Sequence, residues 1–330
     1  MEKLQILKLC HNNLTNLSKN SFRGGPSWNL KELYLNGNPL KELNIFDELP
    51  NLEKLVLDEV TGLDFQETFS GHSLKHLKYL SLQNCNLTSL PDDIFQGMIN
   101  LEYLSLSGNP LKAVPQAVQD IPTLRTLNLS HTGIEEIQTD AFVYSHNLKE
   151  LYMEENKNLR VIHECAFCGL TSLQKLVLRG CSRLTQIHDS AFCTDESNLR
   201  TLDVEHARLS SLPSSLNLEV AETLKLGGNP WNCTCWLAKI NEHQIDLSNG
   251  SMPPRCHWPL SLRGERVDFI RTSDVCPETH GIVQKIRVVL LLLSIVSVFL
   301  LIIYWIRRHI VNIVMFSDGY TKLQKNPEFV

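Results

Sequence analysis

An excess of basic charge is missing from this sequence: 31 Lys and Arg stand against 36 Asp and Glu, for a formal net charge of −5. That balance offers no cationic face to a polyanion and argues against nucleic acid or heparin as the main partner. The motifs of catalysis are missing as well. No Gly-rich phosphate loop, no H-E-x-x-H pair and no nucleophile elbow occurs, so phosphoryl transfer, zinc hydrolysis and acyl transfer find no residues to carry them. Glu135-Glu136 and Glu154-Glu155 fall in turn segments, where solvation explains them better than an acid–base pair, and the histidines are scattered singly. The expectation is a protein that is not an enzyme, with no catalytic residue, no metal site and no cofactor.

Charge is absent altogether from Val288 to Ile306, a run of 19 residues. As a helix rising 1.5 Å per residue it spans about 28 Å, close to the hydrocarbon thickness of a bilayer. Tyr304 and Trp305 stand where interfacial aromatics are expected. Lys285 and Arg287 precede the run and Arg307, Arg308 and His309 follow it, so local charge does not orient it. Nothing resembling a secretory signal precedes the repeats at Met1, and no N-terminal cap covers them. The expectation is that the natural protein starts upstream of Met1 and that the first coil exposes its leucines.

What is present in abundance is L-x-x-L-x-L, which returns roughly every 24 residues, the spacing of a stacked solenoid. The units start at Leu4, Leu30, Leu52, Leu77, Leu101, Leu124, Leu148, Leu173 and Leu199, with a tenth near Thr223 that has Ala221 in the first slot. In Leu33-Tyr34-Leu35 or Leu104-Ser105-Leu106 the alternation sends two leucines to one side of an extended segment and the residue between them to the other. One such coil cannot bury its leucines alone, so stability must come from stacking on neighbours. Three residues past the last strand leucine the series reads Asn12, Asn38, Val60, Cys85, Asn109, Thr132, Asn156, Cys181, Ala207, Asn229. A buried Asn there can satisfy backbone groups, Cys and Thr do so less fully, and Val60 and Ala207 cannot, so coils three and nine are expected to be irregular. Leu63, Leu159 and Leu184 come one residue late, which predicts one shared alternative turn. Phe22, Phe95, Phe142, Phe167 and Phe192 recur on the far side of the coil, where stacked aromatics fill space.

On these residues the chain resembles the extracellular leucine-rich repeat family over about residues 4 to 276, and within it Toll-like receptor ectodomains and adhesion proteins of the chaoptin and connectin type. The resemblance implies an α/β solenoid, a horseshoe of about ten repeats. It is specific for fold and says little about function.

After the tenth coil come Cys233, Cys235, Cys256 and Cys276, enough to staple a terminal module too small to stabilise itself. Sequence alone leaves three pairings open. The resemblance to the family's C-terminal cap implies Cys233 with Cys256 and Cys235 with Cys276. Cys85 and Cys181 occupy the buried turn slot and read as inert thiols. Cys168 and Cys193 follow the spine Phe in consecutive coils, where stacking sets them close enough to bridge, with two free thiols as the alternative. Cys165 and Cys168 form C-x-x-C beside that Phe, a poor setting for redox catalysis. These features divide the chain into repeats (1–229), a cysteine-rich cap (230–276), a juxtamembrane linker (277–287), a transmembrane helix (288–306) and a short cytoplasmic tail (307–330).

Disulfides and the glycosylation acceptors Asn13, Asn16, Asn86, Asn128, Asn232 and Asn249 together favour an oxidising lumen. The resulting expectation is a single-pass type I protein of the plasma membrane with its repeats outside. Binding is the use left to a solenoid, and the outward strand residues form its concave face. Tyr34, Tyr79, Tyr103 and Tyr152 are the expected contacts, since tyrosine supplies area at little rotamer cost. The partner is expected to be a protein ligand or a cell-surface protein, with homo- or heterodimerisation open, and the protein to act as an adhesion molecule or co-receptor. A Toll-like receptor would carry a TIR domain after the membrane helix, which the 24 residues from 307 to 330 are too short to form. In that tail Tyr320-Thr321-Lys322-Leu323 fits a Y-x-x-Φ sorting peptide read in extended form, and the final Glu328-Phe329-Val330 fits strand addition to a PDZ domain.

Overall fold

A leucine at the centre of each three-residue strand has nowhere to go but against the next coil, and the chain solves this ten times over. The computed structural model describes residues 3–22, 26–69, 74–193, 198–217, 219–243, 245–247 and 249–323. Ten strands form one parallel sheet in chain order: Ile6–Lys8, Glu32–Tyr34, Lys54–Val56, Tyr79–Ser81, Tyr103–Ser105, Thr126–Asn128, Glu150–Tyr152, Lys175–Val177, Thr201–Asp203 and Thr223–Lys225. The register sets leucine against leucine throughout, from Leu7 opposite Leu33 to Leu202 opposite Leu224. Leu33, Leu55, Leu80, Leu104, Leu127, Leu151 and Leu176 are fully buried, each stabilising by roughly 1.5–3 kcal/mol relative to exposure. In coil one Leu7 is only half-buried, because its strand has a neighbour on one side.

The carbonyl just before each strand joins coil to coil. That of Lys31 accepts the amides of Glu53 and Lys54, both at 2.8 Å, and that of Lys78 accepts those of Glu102 and Tyr103, both at 2.9 Å. From Lys31 to Arg125 the side chains of the same row alternate in charge. Lys31 Nζ lies 2.8 Å and Lys78 Nζ 3.0 Å from the two oxygens of Glu53, and the hydrogen bonds from these lysines hold its carboxyl below its ordinary value of 4.5. A folded-state value below the unfolded one gives stability that is complete above the unfolded value and is lost as pH falls through the folded one. The pair is one-third to one-half exposed, so the gain is about 0–1 kcal/mol. Glu53→Gln should reduce the loss of unfolding free energy between about pH 7 and about pH 3 by a few tenths of a kcal/mol and at most about 1 kcal/mol, read by urea denaturation; an identical pH profile in the variant would dismiss the role.

The asparagine slot works as a second ladder. Asn38 Nδ2 donates to Leu35 O (2.7 Å) in its own coil and Leu9 O (2.8 Å) in the coil before, while Oδ1 accepts the amides of Asn12 (2.9 Å) and Leu14 (3.0 Å). Coils three and nine, expected to be irregular, keep an unbroken strand register on both sides. The neighbour makes up the deficit: Cys85 Sγ donates to Leu57 O and Asn229 Nδ2 to Val204 O. Burial pushes the thiols of Cys85 and Cys181 up to about 12, so both stay protonated. The late hydrophobic of coils seven and eight does share a turn, with Leu159 N bonded to Asn156 O and Leu184 N to Cys181 O.

One position in every coil takes positive φ: His11, Gly37, Glu59, Asn84, Gly108, His131, Glu155, Gly180, His206 and Gly228. Gly37 and Gly108 do more than tolerate that conformation. A Cβ at either would collide with the residue one coil earlier, His11 or Asn84, which leans over the glycine. On the far side Phe142, Phe167 and Phe192 stack with ring centroids 6.2 and 5.0 Å apart, and Cys168 bridges to Cys193 beside them.

The repeats and the cap as far as Thr272 form one compact unit, Met1–Thr272, and Ser273–Val330, which includes the last cap residues, a second. In the cap Trp231 is fully buried and its indole N–H donates to Leu226 O at 2.8 Å, closing coil ten, while Cys233 is bridged to Cys256. Cys235 and Cys276 are also disulfide-bonded. In the second unit one helix runs from Pro277 to Leu323, and its 24-residue stretch Lys285–Arg308, with an 18-residue window of mean hydropathy 3.0, is long and apolar enough to cross a membrane. Linker residues 277–287 and tail residues 307–323 belong to the same helix, since proline opens it and no other proline occurs before Pro327. The Tyr320–Leu323 segment is therefore helical instead of extended; its side chains, like the final Glu328–Val330, lie outside the described residues.

Candidate binding surface

On each strand the first and third residues face away from the core, so the ladder lays two rows of side chains side by side at strand spacing, about 4.8 Å. The first row reads Lys54, Tyr79, Tyr103 over coils three to five, and the third begins Lys8, Tyr34. Register puts Tyr79 opposite Tyr103, and the rings stack with centroids 4.1 Å apart and planes 2° from parallel. Lys54 Nζ lies 4.2 Å from the Tyr79 centroid and 5.3 Å from that of Tyr34, and Lys8 Nζ covers Tyr34 at 5.1 Å. Tyr34 in turn donates to Glu32 Oε2 at 2.8 Å. The result is a continuous cation–aromatic strip over coils one to five. Burial, with the neighbouring Tyr103 hydroxyl, raises the Tyr79 phenol far above its ordinary value, so it is a donor at any physiological pH.

Tyr152 stands apart from the other three, two coils beyond Tyr103. Lys175 Nζ donates to its hydroxyl at 3.1 Å and the hydroxyl donates to Glu150 Oε2 at 2.8 Å, a Lys-to-Tyr-to-Glu relay. Burial outweighs the lysine bond and raises the Tyr152 pKa, while the bond to Tyr152 raises that of Lys175. Between the two tyrosine groups lies Asn128, in register with Ser105 and Tyr152. Its Oδ1 accepts the Ser130 amide at 2.9 Å, which leaves Nδ2, the atom a glycan would occupy, on the open face. Asn13, Asn16, Asn86 and Asn249 are exposed, and Asn232 is half-buried.

At the C-terminal end of the face Glu205 has a role that no motif announces. The residue is fully buried, yet its Oε1 accepts from Ser251 N (2.6 Å), Ser251 Oγ (3.0 Å) and Met252 N (3.4 Å), tying a cap loop 46 residues away onto coil nine. Arg179 Nη2 lies 3.3 Å from Oε2 at an angle that makes an ion pair without a hydrogen bond. The signal in the sequence was faint: Gly227 and Gly250, where a Cβ would fall 2.8 and 2.7 Å from Oε1. Asp203 beside it, 3.7 Å from Lys225 Nζ, has its pKa raised by burial.

Glu136 is a surface carboxylate, bonded to His163 Nε2 at 3.1 Å and held low by it. Among the described residues one group could offer three ligands to a metal ion, the sulfurs of Cys165, Cys168 and Cys193, and two of those are spent in a disulfide.

The model of the leucine rich repeat matches residues 2–59, 75–134 and 122–182. Similar in sequence are lumican of Gallus gallus, 31% identical over 158 residues (47% of this chain, 43% of lumican), and Toll-like receptor 8 of Homo sapiens, 33% over 192 residues (50% and 18%). Transforming growth factor beta activator LRRC33 of Danio rerio is 27% identical over 260 residues, 73% of this chain and 34% of that protein. This chain spans less than half the length of each of the three. Among solved structures, a chain of the octameric complex of Latrophilin 3, Unc5D and FLRT2 (LRR) superposes with TM-score 0.55 at 22% identity, covering 82% of this chain and 90% of that one. The TLR13–ssRNA13 complex gives 0.50 at 19%, covering 76% and 44%. With ten leucine-centred strands in one parallel ladder and the repeat model matched from coil one to coil eight, this chain belongs to the leucine rich repeat family.

Proposed function

We propose that this protein is a single-pass cell-surface receptor or adhesion molecule. It binds a protein ligand through the open face of its ladder, without catalysis, its repeats outside the cell and the Lys285–Arg308 helix in the bilayer. The observation that carries this is the strip of Tyr34, Lys54, Tyr79 and Tyr103, held rigid by its own stacking before any partner arrives. Preorganised aromatics with cations over their faces are what protein interfaces use as anchors. Along the same face Glu32, Glu150 and Asp203 interleave with Lys8, Lys175 and Lys225, a mixed pattern suited to a protein surface better than to a uniform polyanion. Disulfides and exposed N-x-S/T acceptors support the extracellular side for the repeats.

Cells displaying the full chain should aggregate with each other or with ligand-bearing cells. Replacing Tyr79 and Tyr103 together by Ala should weaken that binding by about 30-fold or more, the size of an interface hot spot, with surface level and thermal midpoint unchanged. Binding untouched by the double variant would remove the strip as the anchor. The second reading, an accessory subunit of a signalling receptor, rests on the similarity to Toll-like receptor 8. It expects a TIR-bearing membrane partner to co-purify in detergent where aggregation does not occur.

A further inference from the structure

Cys165 is a free thiol set against a disulfide that it does not belong to. Cys168 and Cys193 join coils seven and eight with their Cα atoms 4.9 Å apart, and the sulfurs of Cys165, Cys168 and Cys193 all lie within 4.8 Å of one another. Cys165 is held where it is from both coils. Its amide donates to Ser190 O in coil eight at 2.9 Å, its carbonyl accepts Cys168 N at 3.2 Å, and it adopts φ +51°. The Cys165-Ala166-Phe167-Cys168 segment is thus a closed turn, and the Cα atoms at the ends of such a turn lie within about 7 Å, the span a disulfide bridges. A small cavity of about 10 Å³, lined by Phe167, Cys168, Phe192 and Cys193 among others, flanks the bridge.

We propose that these three sulfurs form a thiol–disulfide exchange site with two covalent states. The Cys165 thiol loses its proton to water, and its thiolate attacks Cys168 Sγ. A Cys165–Cys168 bond forms and the Cys168–Cys193 bond breaks, with Cys193 leaving as a thiolate that takes a proton from water. No electron is gained or lost overall, so no oxidant or reductant is consumed. The exchange needs no unfolding, because Phe167 and Phe192 stay stacked at 5.0 Å and hold the two coils together. Its product opens the covalent staple between coils seven and eight and sets free Cys193, whose side chain is exposed, whereas Cys165 is half-buried. The site thereby converts a shielded thiol into an accessible one, open to exchange with a small-molecule disulfide or to an alkylating agent. This is exchange within one chain and makes no claim on redox catalysis.

Tryptic cleavage puts Cys165 and Cys168 on one peptide and Cys193 on another, so the two states differ by mass. Full-length protein in detergent, alkylated with N-ethylmaleimide and digested without reduction, should show two species. One is the cross-linked peptide pair with Cys165 alkylated; the other is the internally bridged peptide with Cys193 alkylated. The second should accumulate with incubation time, and faster at about pH 8 than at about pH 6, because the attacking thiolate is scarcer at the lower pH. In Cys165→Ser, Cys193 labelling should fall to background while the Cys168–Cys193 bridge and the thermal midpoint are retained. Cys193 that is never labelled in the natural protein, or is labelled equally in Cys165→Ser, overturns the proposal.

Discussion

Asn109→Ala should lower the stability of the solenoid by about 3 kcal/mol, the sum expected when several buried backbone groups lose their partners at about 1 kcal/mol each. Asn109 is fully buried and serves four of them: its Nδ2 donates to Leu106 O (2.8 Å) and Leu82 O (2.7 Å), and its Oδ1 accepts Cys85 N (2.9 Å) and Leu87 N (3.0 Å). Three of these lie in coil four and one in its own coil, so a single truncation loosens two coils. No neighbour steps in as it does at Val60, because the slot in the following coil holds Thr132, whose hydroxyl is already committed to Leu129 O and Asn156 Oδ1. Asn109→Thr should recover part of the loss, since Thr132 in coil six still reaches Leu129 O through its hydroxyl at 3.1 Å. Urea denaturation of the full chain, followed with amide exchange at Cys85 and Leu87, separates the outcomes. A loss under about 1 kcal/mol would mean that backbone relaxation, and not the asparagine, satisfies the turn.

The second large effect is expected at Glu205. Replacing it by Ala removes a fully buried carboxylate that three donors of Ser251 and Met252 converge on, and leaves Arg179 with no counter-charge there. Breaking a buried pair from one side costs roughly 3–5 kcal/mol, most of it the uncompensated partner. Arg179 is partly exposed and can turn to water, so the lower end of that range applies. The damage should be local. Amide exchange at Ser251 and Met252 should accelerate and the loop around Asn249 become open to protease, while coils two to seven keep their protection. Glu205→Gln retains an acceptor for the Ser251 amide and loses only the ion pair, so it should fall between the two. Unchanged protection at Ser251 in Glu205→Ala would show that the cap is held by Trp231 and its disulfides alone.

Both predictions rest on contacts between residues some 25 or 46 positions apart in the chain, and they differ in how visible those contacts were beforehand. The asparagine slot was legible because it repeats: a polar residue fixed three places after a buried leucine needs backbone partners whichever coil it occupies. The forecast of irregularity in coils three and nine failed for an instructive reason. Satisfaction is shared across coils, so the lack of a side-chain donor at Val60 is made good by Cys85 and at Ala207 by Asn229. The recurring positive-φ position was hidden by its composition. Gly, His, Glu and Asn alternate there, and only stacking reveals that each glycine makes room for the larger residue one coil before it. Glu205 carried no pattern at all, since its partners belong to a cap loop that obeys no repeat.

The sequence by itself determined the ladder: ten strands, their order, their leucine register and an apolar stretch able to cross a membrane. These follow from periodicity along the chain, which fixes the face to which each side chain points. Tertiary structure alone decided which outward residues meet. It joined Tyr34, Tyr79 and Tyr103 through Lys54 while leaving Tyr152 to its own relay, placed Glu205 beneath the cap, and brought a third sulfur beside the Cys168–Cys193 bridge. Lateral contacts of that kind depend on strand spacing, turn geometry and rotamer together. A one-dimensional period specifies the first, and only the stacked coils supply the other two.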